Sequence, residues 1–205
     1  VYASLMNCKT LYIDPKREKR YWYNKLLREL EETDSCPELQ DYIRSIHFVT
    51  LDYTNPKNHG VLDPLVFLEG KQAKDLIVSM VNEVMPLKDK EKFETELSKM
   101  IRDFAVKRAN GETVGTLSAI QELMKSDIEK VREAAENLLE KVTDSVLELV
   151  FSDGTNPAVD LTARNTILEI AYLNLPADEH AELTLQNRKA MAVMYALGDF
   201  CIKFG

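Results

Sequence analysis

Four charged residues stand where an apolar run stops: Asp14, Lys16, Arg17 and Arg20 follow Thr10-Leu11-Tyr12-Ile13 across the turn at Pro15. The unbroken β-branched, aromatic and apolar run predicts a buried strand, central in a covered parallel sheet. Asp14-Pro15 ends it, because proline has no N–H for the ladder. Open α/β sheets place ligand crevices at the carboxyl ends of their strands, so charge of both signs at this edge marks the candidate site. The plainer account of the same residues is a solvated turn and the start of a helix.

That helix carries Lys16, Arg17, Lys19, Arg20, Lys25 and Arg28 against one acid, Glu18, with Tyr21, Trp22 and Tyr23 interleaved. Cations mixed with rings could neutralise and stack a single nucleic-acid strand. A helix with a basic solvated face and a buried aromatic face accounts for the pattern as well, and is the reading taken. The whole chain argues the same way. At 205 residues its formal net charge is −8, whereas a broad nucleic-acid surface needs a basic surplus.

Familiar catalytic motifs are missing from the sequence. Neither GxxxxGK[ST] nor GxGxxG occurs among seven glycines, so no phosphate loop is present. No apolar run ends in an Asp-Glu pair that would hold a magnesium-bound water. GxSxG and HExxH are absent too. Cys8, Cys36 and Cys201 are three and far apart, which predicts neither a disulfide framework nor a zinc site and fits a reducing cytoplasm. His47 lies inside a strand pattern without a second histidine at metal spacing, and reads as a satisfied structural histidine.

The elements that would position the charged edge follow from periodicity. Strands are predicted at 10–13, 46–51 and 166–173. A helix runs from Pro15 to about 31–34, and Ile43 falls in a short connecting turn. Residues 2–7 read as the last turn of a helix beginning upstream. Between the second and third strands, apolar stripes predict four amphipathic helices: 76–84, 93–104, 117–124 after Thr116 as N-cap, and 128–149. Residues 191–204 form a last helix. With 45% hydrophobic residues the chain can bury a real core, and no apolar run reaches the length of about 20 residues that spans a bilayer. The fold class is α/β with a large all-helical insertion.

In order, these segments resemble the VirB-four-type (TrsE- and TraE-like) ATPases of conjugative transfer and type IV secretion, most closely those of Gram-positive conjugative elements. The matching pieces are Leu11-Tyr12-Ile13-Asp14-Pro15-Lys16, Leu62-Asp63-Pro64 with Phe67, Phe151-Ser152-Asp153-Gly154, Leu173-Asn174-Leu175-Pro176 and the apolar helix 191–204. The resemblance implies the central fragment of a RecA-like P-loop motor domain, between a Walker A loop upstream and a Walker B strand downstream. Its domains would be 1–64, the first part of the α/β domain; 65–155, the helical bundle; and 156–205, the return to the α/β domain. The family often has Asp-Pro-Lys-Gly-Glu after its strand, and Arg17 stands here in place of that glycine.

The resemblance further implies ATP and Mg2+ as cofactors of the intact parent, with none demonstrable in this chain, which alone is expected to be inactive. Asp14, Lys16, Arg17 and Arg20 would be nucleotide-proximal or interface residues, since a cation beside a transferring phosphate stabilises its developing charge. Implied partners are other subunits of the same ATPase and components of a secretion complex, with nucleic acid left open. The implied location is cytoplasmic, at the inner face of the membrane through those partners. Two alternatives stay open: a helical protein-interaction module of a secretion complex, and part of a DNA-translocating coupling ATPase.

Overall fold

The structure is a computed structural model that describes residues 9–15, 17–87, 90–176, 178, 180 and 182–204. The helical turn expected at 2–7, and Lys16, lie outside the described residues. Two compact units emerge: one from Val1–Asp52, Asp160–Leu173 and Cys201–Gly205, the other from Tyr53–Val159 and Asn174–Phe200. These units divide the chain at other places than the boundaries expected from sequence, notably in grouping most of the last helix with the helical block.

The first unit holds a three-stranded parallel sheet, with β1 (Thr10–Asp14), β2 (Ile46–Leu51) and β3 (Asn165–Ile170) in the order β1-β3-β2. Between β1 and β2 run α1 (Lys19–Glu32) and α2 (Pro37–Arg44). This is the α/β architecture with a helical insertion expected from the sequence, and it is consistent with a partial P-loop ATPase-like fold.

Four local readings of this unit need correction. The central strand is β3, buried at every position, whereas β1 is an edge among the described strands and Tyr12 is 50% exposed. An apolar run fixes burial on at least one face, but not which strand lies in the middle. Ile43 is buried within α2, a helix opened by Pro37 at its first position rather than a turn. His47 is exposed, because β2 forms the other described edge. Finally, α1 has no buried residue, and Tyr21 and Trp22 are 65% and 56% exposed. Of its aromatic residues only Tyr23 turns toward the sheet, its ring edge-on to Phe48.

The second unit contains α3 (Pro64–Phe67), α4 (Gly70–Val84), α5 (Glu91–Ala109), α6 (Thr116–Leu123), α7 (Glu129–Val142) and α8 (Leu185–Phe204, to Phe200). Ile77, Leu97, Ile101, Ile120 and Leu138 are fully buried in it, as their helical spacing requires. The stripe 128–149 is two elements, not one helix. Asp144 adopts φ 52° and Ser145 caps a short 3-10 turn, Val146–Leu149, so the apolar spacing continues across a break that it does not reveal. The N-cap of α6 is Gly115; Thr116 is its first residue and is fully buried. Among the described residues no helix is long and apolar enough to cross a membrane.

Candidate functional site

Parallel pairing puts Asp14, Glu169 and Thr50 in one row across the carboxyl end of the sheet, Asp14 opposite Glu169 on β1 and Thr50 opposite Glu169 on β2. Residues in one row share a face, and α1 closes over this one. From its first turn Arg20 reaches down to Glu169, with Nε 3.1 Å and Nη2 2.8 Å from Oε2. Nη2 also donates to Thr50 Oγ1 at 2.9 Å, and the Thr50 hydroxyl donates to Glu169 Oε2 at 2.7 Å. The guanidinium lies 4.9 Å from the centre of the Phe48 ring. Glu169 is 1% exposed. A carboxylate buried in the central strand must be paired to be tolerated, and the helix that crosses it provides the cation.

Asp14 is buried and engaged as well. Its Oδ2 accepts the backbone N–H of Lys19 at 2.6 Å, satisfying one of the orphan donors at the start of α1. Arg17 is exposed and has φ 59°, the left-handed conformation that glycine adopts without strain and other L-residues reach at a penalty. Glycine at this position in the resembling family therefore has a backbone reason. Of the four residues expected at the site, the structure brings Asp14 and Arg20 to the sheet end and leaves Arg17 on the turn; Lys16 lies outside the described residues.

Sequence reasoning missed Glu169 and Thr50. The usable signal was Glu169 itself, one acid inside an apolar strand pattern. It also passed over Asp63, the most heavily bonded acid of the helical unit. Fully buried, Asp63 accepts the N–H groups of Leu65, Thr116 and Ser152 at 2.9 to 3.0 Å and the hydroxyls of Thr116 at 2.6 Å and Ser152 at 3.0 Å. Burial pushes its carboxyl up, and the Thr116 hydroxyl with those N–H groups pulls it back down. Three loops thus converge on one side chain, and the Asp63, Ser152 and Gly154 pieces of the family resemblance are the parts of this knot. Gly60 is held against it: a Cβ there would overlap the Ser152 side chain.

The residues present do not by themselves fit a magnesium-nucleotide site. Among the described residues no three of His, Cys, Asp or Glu are grouped to hold a metal ion, and the Asp14 and Glu169 carboxylates are already engaged by protein donors. The arrangement can order the end of the sheet and the turn that leaves it.

A protein from Bacillus subtilis (strain 168), named "Uncharacterized protein YddE", is 37% identical over 208 residues, which cover all of this chain and 25% of that protein. The chain therefore spans about a quarter of this relative's length. No solved structure matches. The model of the AAA-like domain family matches residues 1–205. Matched from end to end, the chain belongs to the AAA-like domain family.

Proposed function

We propose that this chain is the central part of an ATP-driven motor serving conjugative transfer or type IV secretion, contributing sheet strands and a helical subdomain to a domain whose phosphate loop and magnesium carboxylate lie elsewhere in the parent. The observation that carries this is the row Asp14, Glu169, Thr50 at the carboxyl end of a parallel sheet, the edge where α/β domains take ligands, in a chain matched throughout by the AAA-like domain family. In this reading the parent uses ATP and Mg2+. Arg20 and Asp14 hold the sheet end and the start of α1 in place, while Arg17, on the turn between them, faces nucleotide or a neighbouring subunit; Lys16 is assigned the same role from the sequence resemblance. Partners are further copies of the ATPase and components of the secretion complex, at the cytoplasmic face of the membrane.

The test is phosphate release by the intact parent and by the 205-residue chain, with and without magnesium. The parent is expected to turn over at a rate of about 1 per second or more, in the range of typical enzymes, and the chain not at all. A folded parent without magnesium-dependent turnover overturns the motor reading; turnover by the chain alone overturns its placement between the nucleotide motifs.

A second reading has its own observation. In the helical unit, Lys71 and Lys74 of α4 and Arg102 of α5 line a groove of about 520 Å3 with Ala105 and Val106, and Val106 is 61% exposed. This favours a docking role for the helical unit within the same complex. Removal of partner binding by Val106→Asp, with turnover retained, supports it.

A further inference from the structure

At the opposite end of the sheet from the row described above, the first unit has a half-open cavity of about 210 Å3 lined by Thr10, Tyr12, Lys19, Tyr42, Asn165 and Thr166 with Tyr23 and neighbouring apolar groups. Thr10, Asn165 and Ile46 begin the three strands and share one register row, so the cavity sits at the amino ends of the strands, under α1 and α2. No acidic residue lines it. The Asp14 carboxylate, two residues beyond Tyr12 on the same face, is engaged by the Lys19 N–H.

The lining is rich in unused donors. Asn165 is 5% exposed, and its Oδ1 accepts the Thr10 hydroxyl at 2.8 Å, while its Nδ2 donates to none of the described residues. Among the described residues the buried side-chain polar atom left without a partner is the Thr166 hydroxyl, which also lines the cavity. The Lys19 ammonium has no ion pair among the described residues and sits 5.2 Å from the centre of the Tyr12 ring. The phenols of Tyr23 and Tyr42 make no hydrogen bond with described residues. Burial, and then the neighbouring Tyr42, push the Tyr23 phenol above its ordinary value against the smaller pull of Lys19, so it remains a donor at neutral pH.

We infer that this cavity is a binding site for a small oxyanion, a carboxylate or phosphate carried on a compact body. One cation, one amide, one unpartnered hydroxyl and two phenols, with no carboxylate among them, select for negative charge. The Tyr rings supply apolar walls, the usual composition of a ligand pocket. At about 30 Å3 per water the space equals roughly seven waters, which suits inorganic phosphate or an acid the size of benzoate. The site is separate from the carboxyl edge proposed for nucleotide, and it stands whether or not the parent is a motor.

The experiment is titration of the 205-residue chain, followed by thermal shift and calorimetry, with three probes: inorganic phosphate, benzoate, and benzamide as the neutral counterpart of benzoate. Saturable binding of at least one anion, with a dissociation constant of about 1 mM or tighter and none for benzamide, is the expected result. Phosphate alone binding assigns a phosphorylated ligand, and benzoate alone assigns an aromatic carboxylate. Lys19→Met should weaken binding about tenfold or more, and Asn165→Asp, which keeps the acceptor for Thr10 and adds a negative charge, should abolish it. Absence of saturable binding by both anions, equal binding of benzamide, or unchanged affinity in Lys19→Met overturns the inference. Lys19 is only half-buried, so its variant decides even where Asn165→Asp fails to fold.

Discussion

Replacing Arg20 by methionine separates two roles for this residue, strut of the sheet end or free cation. The Glu169 carboxylate, 1% exposed, would keep the Thr50 hydroxyl and lose three contacts from the guanidinium. Removing one partner of a buried ion pair costs about 3–5 kcal/mol. The Arg20 side chain is itself 45% exposed, so water screens part of the interaction and the figure falls by about half, to roughly 2 kcal/mol. In urea, at about 2 kcal/mol per molar, the midpoint should drop by about 1 M. Trp22, the chain's one tryptophan, lies on α1 and reports fluorescence from the unit concerned. Arg20→Met with Glu169→Met should recover much of the loss, because an apolar pair can replace a buried ion pair without penalty. An Arg20→Met midpoint within the equivalent of about 0.5 kcal/mol of the parent value would refute the reasoning and leave the guanidinium available to a phosphate.

Gly60→Ala should destabilise the helical unit severely, since a Cβ overlaps Ser152 and φ is 69°; Gly70→Ala, with φ 38° and open space around it, should cost only about 1 kcal/mol of backbone strain, and chemical denaturation of the two variants gives the contrast. Arg17→Gly should be neutral or stabilise by up to about 1 kcal/mol by relieving φ 59°, measured in the same way. Burial, and then Lys141, hold the Lys189 ammonium below its ordinary value; the unfolded chain therefore binds this proton more tightly, and stability from this site rises with pH up to about 10.4. Lys189→Met should be the more stable protein at neutral pH, with the difference shrinking toward pH 10 in thermal unfolding.

Periodicity located each strand and most helices of the described residues because burial on one face leaves a pattern in the chain. Register and strand order leave none. Thr10 to Ile13 and the strand at 165–170 both read as strands with apolar positions, yet among the described strands the second is central and the first an edge, a difference decided by which neighbours each strand meets. The exposed Trp22 and Tyr21 show the opposite failure, since consecutive aromatic residues on a helix point in different directions and are buried only where something covers them. At the site, Asp14 and Arg20 were legible as charges at a strand end. Their engagement with Lys19 N–H and Glu169 was not, because those contacts join residues 5 and 149 positions apart.

Glu169 and Asp63 solve one physical problem in two ways. Glu169 sits in a strand whose N–H groups serve the ladder, so its charge must be met by a side chain from outside, and Arg20 with Thr50 does this. Asp63 precedes a short helix opened by Pro64 and accepts that helix's Leu65 N–H, together with the N–H groups and hydroxyls of Thr116 and Ser152 from two other segments. The first solution engages a cation at the carboxyl end of the sheet; the second ties three segments of the helical unit together. On the turn that leaves β1, Arg17 is exposed and held in a conformation that glycine would adopt freely. Strained backbone persists where surrounding structure holds it and is found most often at functional turns. A functional reason for arginine there therefore predicts that Arg17→Gly, neutral or favourable for stability, lowers turnover of the intact parent. Equal turnover in the two proteins would show that the strain at this turn serves no catalytic or interface contact.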